Sequence, residues 1–195
     1  MSPEHISAYT LTAERGTELF SMVLNGKLKM PKKEQEGKWF LKTHEILSRN
    51  GYQAYEVSNF SKPGYECNHN LHYWNIEPYL AFGPSAHGFD GQYRWNNSRS
   101  LDQYTSCILA GKSAISMREK ISAIEYINEK VGFGLRMKTG FEIKDIPKKY
   151  QKLLKNNIEN AQEKYPDCIN TKSNNITFTQ KGMLYADELI PSILL

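Results

Sequence analysis

A strand-like segment close to the beginning of the chain most constrains the fold. Residues 5–11, HISAYTL, are rich in β-forming side chains, and few residues precede them. A strand this apolar needs a neighbouring strand, because it would otherwise present an open edge of unpaired backbone groups. Further β-forming segments alternate with helical patterns up to about residue 100, which favours an α/β fold. We therefore expect the chain to be a piece of a longer protein whose earlier strands pair with residues 5–11.

Two predicted helices follow this segment and separate it from the next strand. Residues 16–28 and 32–52 each carry an Asn-Gly pair near the end, where a left-handed residue can stop a helix. The next β-forming segment, residues 52–58, runs on towards a Pro-Gly turn. The apolar stripe of the second helix is predicted to consist of Trp39, Phe40, Ile46 and Leu47.

A glycine-punctuated segment comes next, at residues 79–91. Its apolar start predicts a buried strand, and its three glycines predict a loop that follows the strand. Backbone N–H groups in such a loop can approach a phosphate, ribose or carboxylate closely. The spacing is neither GxGxxG nor a P-loop, so a simple turn leaving a strand is the favoured interpretation.

From Ser100 onward the pattern is mainly helical. Ser100 with Gln103 and Ser116 with Glu119 have the spacing of capping boxes, which predicts a helix start at each serine. We place a domain boundary in this region. The predicted domains are residues 1–105 and residues 106–195.

The second part ends with a predicted β-hairpin and a final helix. Asn174 and Asn175 supply the hairpin turn, and the preceding helix tolerates Pro147 in its first turn. This order resembles a winged-helix arrangement. The net charge of +4 falls in residues 112–195, and such a lysine-rich surface is usually only solvated, so nucleic-acid binding is not favoured.

The stretch CNHNLHYW, residues 67–74, concentrates side chains that can bind a metal. His69 and His72 would share a helix face, and neutral imidazole binds zinc or haem iron. Cys67 could add a thiolate, but the spacing is not a standard zinc pattern. The alternative is a hydrogen-bonded core in which Tyr73 and Trp74 are buried. The residues alone favour the core.

Cysteine count and hydropathy exclude several classes of protein. Cys67, Cys107 and Cys168 are an odd number with no close pair, which argues against a disulfide framework and a local CxxC-type metal site. No run approaches the ~20 apolar residues of a membrane span. The first residues lack the pattern of a signal peptide. We therefore expect a cytoplasmic protein without a membrane span.

Three long segments together resemble one known family. Residues 5–17, 51–74 and 79–89 are similar, in order and spacing, to the oxygen-independent coproporphyrinogen III oxidase-like proteins, which are radical S-adenosylmethionine (SAM) proteins. Residues 135–143 and 176–190 resemble the C-terminal domain of that family. The HNxxYW element is similar to the branch regarded as haem chaperones; it consists of His69, Asn70, Tyr73 and Trp74.

The resemblance implies both a fold and a set of cofactors. It implies the terminal part of a radical-SAM partial TIM-like barrel followed by a mainly helical, winged-helix-like domain. The family binds a [4Fe–4S] cluster through a CxxxCxxC motif, and the cluster binds SAM. This chain has no CxxxCxxC, so we expect it to lack catalytic residues of its own and to be inactive without the missing N-terminal half of the barrel.

The resemblance also assigns roles to individual residues. Thr12 and a loop would line the SAM side; the loop residues are Gly83, Ser85, Ala86 and His87. The HNxxYW residues would contact haem, with His69 as the iron ligand and His72 or Cys67 as fallbacks.

Three functions remain open at this point. The favoured one is a haem chaperone, whose partners would be haem or porphyrin and haem-accepting proteins. The second is a coproporphyrinogen III dehydrogenase, an oxidative decarboxylase that would need cations for the propionates, with Arg94 and Arg99 nearest the glycine loop. The third is a nucleic-acid- or protein-binding winged-helix module.

Overall fold

The first part of the fold is a small antiparallel sheet with two helices. A computed structural model describes residues 2–195. Its first sheet has the order β1-β3-β2, and Ile6 lies opposite Phe60. Phe60 is buried, so this sheet has one apolar face. The elements are β1 (His5–Ser7), α1 (Glu18–Leu24), α2 (Lys33–Arg49), β2 (Gln53–Ala54) and β3 (Asn59–Ser61).

The middle of the chain forms a short helix and a second antiparallel sheet of order β4-β5-β6. Strand β6 is one of the two edge strands of this sheet, and all six of its residues are exposed. The elements are α3 (Asn68–Trp74), β4 (His87–Phe89), β5 (Tyr93–Asn97), α4 (Leu101–Leu109) and β6 (Ile115–Lys120).

The last part contains the largest hydrophobic core. Its side chains come from the long helices and from a third sheet of order β7-β9-β8, and several are fully buried, including Val131, Leu154 and Ile176. The hairpin is preceded and followed by helices, as the winged-helix pattern predicts. The elements are α5 (Ala123–Arg136), β7 (Phe141–Glu142), a 3-10 turn (Ile143–Asp145), α6 (Lys148–Lys164), β8 (Ile169–Lys172), β9 (Asn175–Phe178), α7 (Gln180–Leu184) and α8 (Ala186–Ile193).

The buried face of α2 differs from the predicted stripe. Trp39 and Ile46 are about half exposed, whereas Gly37 and His44 are buried. Gly37 is buried because Leu184 packs directly over it, leaving little room for a larger side chain. The helix therefore turns a glycine and a histidine inward, and the prediction for Trp39 and Ile46 was wrong.

One of the two predicted capping boxes is displaced. Ser100 does cap α4, since its side chain accepts a hydrogen bond from the Gln103 N–H. Ser116 and Glu119 lie instead in β6. The capping box of α5 is formed by Ser122 and Glu125, with the serine oxygen accepting from Glu125 N at 3.2 Å.

Two further local predictions need correction. Residues 79–82 are not a buried strand: Tyr79 makes a single bridge to Phe89, and the Phe82 side chain is 80% exposed. The hairpin turn lies one residue earlier than predicted, with Ser173 in the left-handed region at φ 61° and Asn175 already in β9. The domain division at residue 105 remains a proposal, although β6 pairs with β5 across it.

No helix within residues 2–195 is both long enough and apolar enough to cross a membrane.

Candidate functional site

Helix α3 places the HNxxYW residues on one face. At spacings i, i+1, i+4 and i+5 they span an arc of roughly 140° on a regular helix. Asn70, Tyr73 and Trp74 line a cleft of about 550 Å³. His69 is exposed beside them, and its ring meets Tyr73 edge to face with ring centroids 4.9 Å apart. The motif is therefore one continuous surface of mixed aromatic and polar character.

This helix is held in place from two sides. Trp74 meets Phe133 of α5 with ring centroids 5.5 Å apart. Asn70 Nδ2 donates to the Tyr55 hydroxyl at 3.0 Å, and His5 Nε2 lies 2.9 Å from the same hydroxyl. Burial raises the pKa of Tyr55, so this phenol stays protonated and able to take part in both contacts. The site helix is thus tied both to β1 and to the helical part.

His72 has a different role from His69. Its Nδ1 lies 2.8 Å from Glu77 Oε2, and its Nε2 lies 2.7 Å from the Pro78 carbonyl oxygen. Both ring nitrogens therefore hold the segment that follows α3, where Ile76 takes a positive φ of 57°. In contrast, no side-chain hydrogen bond engages the His69 ring within residues 2–195, so His69 is the imidazole of α3 that is free to bind a ligand.

Polar and charged side chains from outside α3 also line the cleft. Glu56 is 3% exposed, and its carboxylate accepts a hydrogen bond from Ser58 N at 3.0 Å. Arg136, at the end of α5, donates from Nη2 to Asp187 Oδ1 at 2.7 Å. Thr12 also lines the cleft.

The segments that carry Glu56 and Arg136 are joined through the backbone. Glu56 forms an antiparallel bridge with Met137, and Lys138 N donates to the Tyr55 carbonyl oxygen at 2.9 Å. The end of α5 is therefore fixed to the segment that carries Glu56. Side chains far apart in the sequence come together in this way at one cleft.

The residues predicted for the SAM side do not all line one cleft. Thr12 lines the cleft, but the predicted glycine loop does not contribute to it. Gly83 N donates to the Tyr104 hydroxyl at 3.0 Å, and Ser85 takes a positive φ of 61°. The remaining residues pack against β5, since Ala86 O accepts from Asn97 N and the exposed His87 pairs with Asn96.

The described residues do not fit a [4Fe–4S] cluster. Across residues 2–195, no group of three or more His, Cys, Asp or Glu side chains converges on a point where a metal could be held. Cys67 and Cys107 are partly exposed, and Cys168 is buried, which raises its thiol pKa. Three separated thiols cannot replace the local set of thiolates that such a cluster needs.

Arg94 is not free to bind propionate groups. Its guanidinium pairs with Glu129 through two hydrogen bonds of 2.5 and 2.7 Å. It also lies over the Phe89 ring, 5.2 Å from its centroid. Sequence analysis named Arg94 and Arg99, neither of which lines the cleft, and missed Arg136, which does.

The fold is that of about half of a radical SAM enzyme. The chain superposes on coproporphyrinogen III oxidase (HemN) from Escherichia coli, described as a radical SAM enzyme, with a TM-score of 0.73 and 16% sequence identity. The match covers 98% of this chain and 48% of that structure. The predicted α/β fold of radical-SAM type is therefore confirmed.

Several relatives by sequence carry the name of a haem chaperone. The chain is 29% identical over 198 residues to "Heme chaperone HemW" of Bacillus subtilis, which covers 100% of this chain and 52% of the relative. A Mycobacterium tuberculosis protein of the same name is 29% identical to this chain, and the match covers 47% of that protein. A third relative is the mitochondrial radical S-adenosyl methionine domain-containing protein 1 of Bos taurus. It is 32% identical over 70% of this chain, and the match covers 33% of that protein.

These similarities confirm the resemblance predicted from the sequence. The chain spans about half the length of the curated relatives it matches. No protein-family model matches it.

Proposed function

We propose that this chain is the haem-binding half of a radical-SAM haem chaperone, and that the exposed face of α3 receives the haem. The observation that carries this proposal is the HNxxYW surface: three of its four residues line one cleft, and a free imidazole stands beside them. The names of the relatives supply the ligand class. In this proposal haem is cargo, which the protein would pass on to haem-accepting proteins.

The side chains of the cleft suit a flat, amphipathic macrocycle. The Tyr73 and Trp74 rings offer apolar surface for the porphyrin, and aromatic contacts of this kind contribute about 0.5–1.5 kcal/mol beyond burial. His69 would ligate the iron, because neutral imidazole is a common haem ligand and this ring has no competing hydrogen bond within residues 2–195.

A complementary polypeptide would supply the cluster and complete the SAM site. Strand β1 is an edge of its sheet, and beside it Tyr9, Leu11 and Trp39 are more than half exposed. These three residues line an apolar groove of about 310 Å³. An unpaired edge next to exposed aromatic side chains is a surface that strands from another half of the barrel could cover. We propose that Thr12 and His87 face SAM only in that assembled state.

A haemin titration followed by the Soret band tests the proposal. We expect a saturable one-to-one shift with the wild-type chain and its loss in His69→Ala. The matched control is His87→Ala, which removes an exposed imidazole outside the cleft. An equal loss of the shift in both variants, or a shift that persists in His69→Ala, would show that His69 is not the iron ligand. The absence of any shift would contradict haem binding by this half.

A further inference from the structure

Arg136 occupies a distinctive position in the cleft. Among the described residues that line the cleft it is the only one with a permanent positive charge, and its side chain is 28% exposed. It lies one helical turn beyond Phe133, the residue that Trp74 packs against. The guanidinium is therefore held near the aromatic end of the proposed haem surface.

The present partner of Arg136 is easily displaced. Asp187 lies in the first turn of α8, and its side chain is 91% exposed. An ion pair with so exposed a carboxylate is weak, because water solvates the Asp187 side chain when the pair separates. Released Asp187 would still be favourably placed at a helix N-terminus. The second anchor of Arg136, its Nη1 contact with the Gly132 carbonyl oxygen at 3.3 Å, can persist during such an exchange.

We propose that Arg136 binds a propionate of the tetrapyrrole, taking it in exchange for Asp187. This inference rests on the proposed function. A guanidinium presents paired donors that match a carboxylate, and such charge-assisted bonds are about twice as strong as neutral ones. With His69 beside Tyr73 and Arg136 among the residues that line the cleft, the cleft would fix the macrocycle at its iron and at a propionate. The site would then select tetrapyrroles that carry free carboxylates.

The exchange predicts opposite effects for the two members of the ion pair. Arg136→Gln removes the charged donor group that would bind the propionate, and we expect it to weaken haemin binding about tenfold. Asp187→Asn removes the competitor, and we expect it to strengthen haemin binding. Arg136→Lys keeps the charge without the paired geometry and should fall between wild type and Arg136→Gln.

The decisive comparison is between haemin and haemin dimethyl ester, whose propionates carry no charge. Affinities would be measured by Soret titration with the wild type, Arg136→Gln and Asp187→Asn. We expect the ester to bind the wild type about tenfold more weakly than haemin and to be insensitive to both substitutions. Far-UV circular dichroism and the intermediate Arg136→Lys variant verify that each protein is folded.

The outcomes separate this inference from the proposed function. If haemin binds through His69 but Arg136→Gln weakens haemin and ester equally, the propionate contact is wrong and haem binding stands. If SAM competes with haemin in the wild type and not in Arg136→Gln, then Arg136 binds the carboxylate of SAM, and the inference is overturned. If neither haemin nor ester binds, the proposed function itself fails.

Discussion

Trp74 of α3 and Phe133 of α5 meet edge to face, with ring centroids 5.5 Å apart and ring planes inclined by 79°. This contact joins the helix that carries the candidate site to the helical second part of the chain. Trp74 also lines the main cleft on one side and a second pocket of about 390 Å³ on the other. This aromatic pair is therefore one of the contacts that fix the position of the site.

Truncating Trp74 should destabilise the whole chain. We expect Trp74→Ala to lower the free energy of unfolding by about 2–3 kcal/mol, somewhat less than for a fully buried tryptophan. Trp74→Phe should retain part of the contact. Urea denaturation measures the free energy of unfolding of both variants. Trp39→Ala is the control: Trp39 is 54% exposed, so its truncation should lower the free energy of unfolding much less. Equal losses at the two positions would contradict the bridging role of Trp74.

His72 should affect stability but not the haem spectrum. We expect His72→Gln to lower the free energy of unfolding by about 1 kcal/mol, because it disturbs two hydrogen bonds that hold the turn after α3. The Soret shift of the haemin complex should keep its position and amplitude. A shift that disappears in His72→Gln while persisting in His69→Ala would reverse the roles of the two histidines.

His44 should make the fold sensitive to acid. Its ring packs between Phe40 and Phe60, and its Nε2 is buried without a hydrogen-bond partner within residues 2–195. Burial lowers the pKa of His44, and a backbone hydrogen bond involving Val57 opposes this shift only in part. At a pH below 6.5, the ordinary pKa of histidine, His44 is therefore more readily protonated in the unfolded chain than in the folded chain.

The sign of this linkage is fixed by the lowered pKa. The contribution of neutral His44 to stability is present above pH 6.5 and is lost as the pH falls below it. We expect urea midpoints to drop more steeply for the wild type than for His44→Phe between about pH 7.5 and about pH 5. Parallel slopes for the two proteins would exclude His44 as the titrating group.

The exposed apolar surface beside β1 should drive self-association of the isolated chain. Tyr9, Leu11 and Trp39 lie next to the open strand edge, and covering such surface is favourable. We expect light scattering to report a dimer or larger species, and Trp39→Lys to shift the population towards the monomer. A wild-type monomer whose β1 amides are strongly protected from hydrogen exchange would count against this expectation.

The α/β character of the fold was predictable from sequence, but some element boundaries and buried faces were not. Ser116-Glu119 and Ser122-Glu125 have the same spacing, so sequence alone cannot choose between them. The choice is made by tertiary pairing, because residues 115–120 find hydrogen-bond partners on β5. Likewise α2 buries Gly37 because Leu184, far away in the chain, packs over it.

The candidate site also has a part that was predictable from sequence and a part that was not. His69, Asn70, Tyr73 and Trp74 form one short motif, so their spacing on a helix was sufficient to group them. Arg136 lies more than sixty residues further along, and no local pattern connects it with that motif. Tertiary contacts bring it to the cleft, among them the backbone bridge between Glu56 and Met137 and the packing of Trp74 on Phe133.

Strand β6 gives the chain a natural place to be divided. It is reached through a loop that contains Gly111 at φ 66°, and it pairs with β5 along most of its length. Two fragments separated at that loop would carry complementary strand edges and would recognise each other through the β5–β6 ladder. The chain therefore offers a fragment-complementation system, in which reassembly of the two pieces reports that α3 and α5 have come back together.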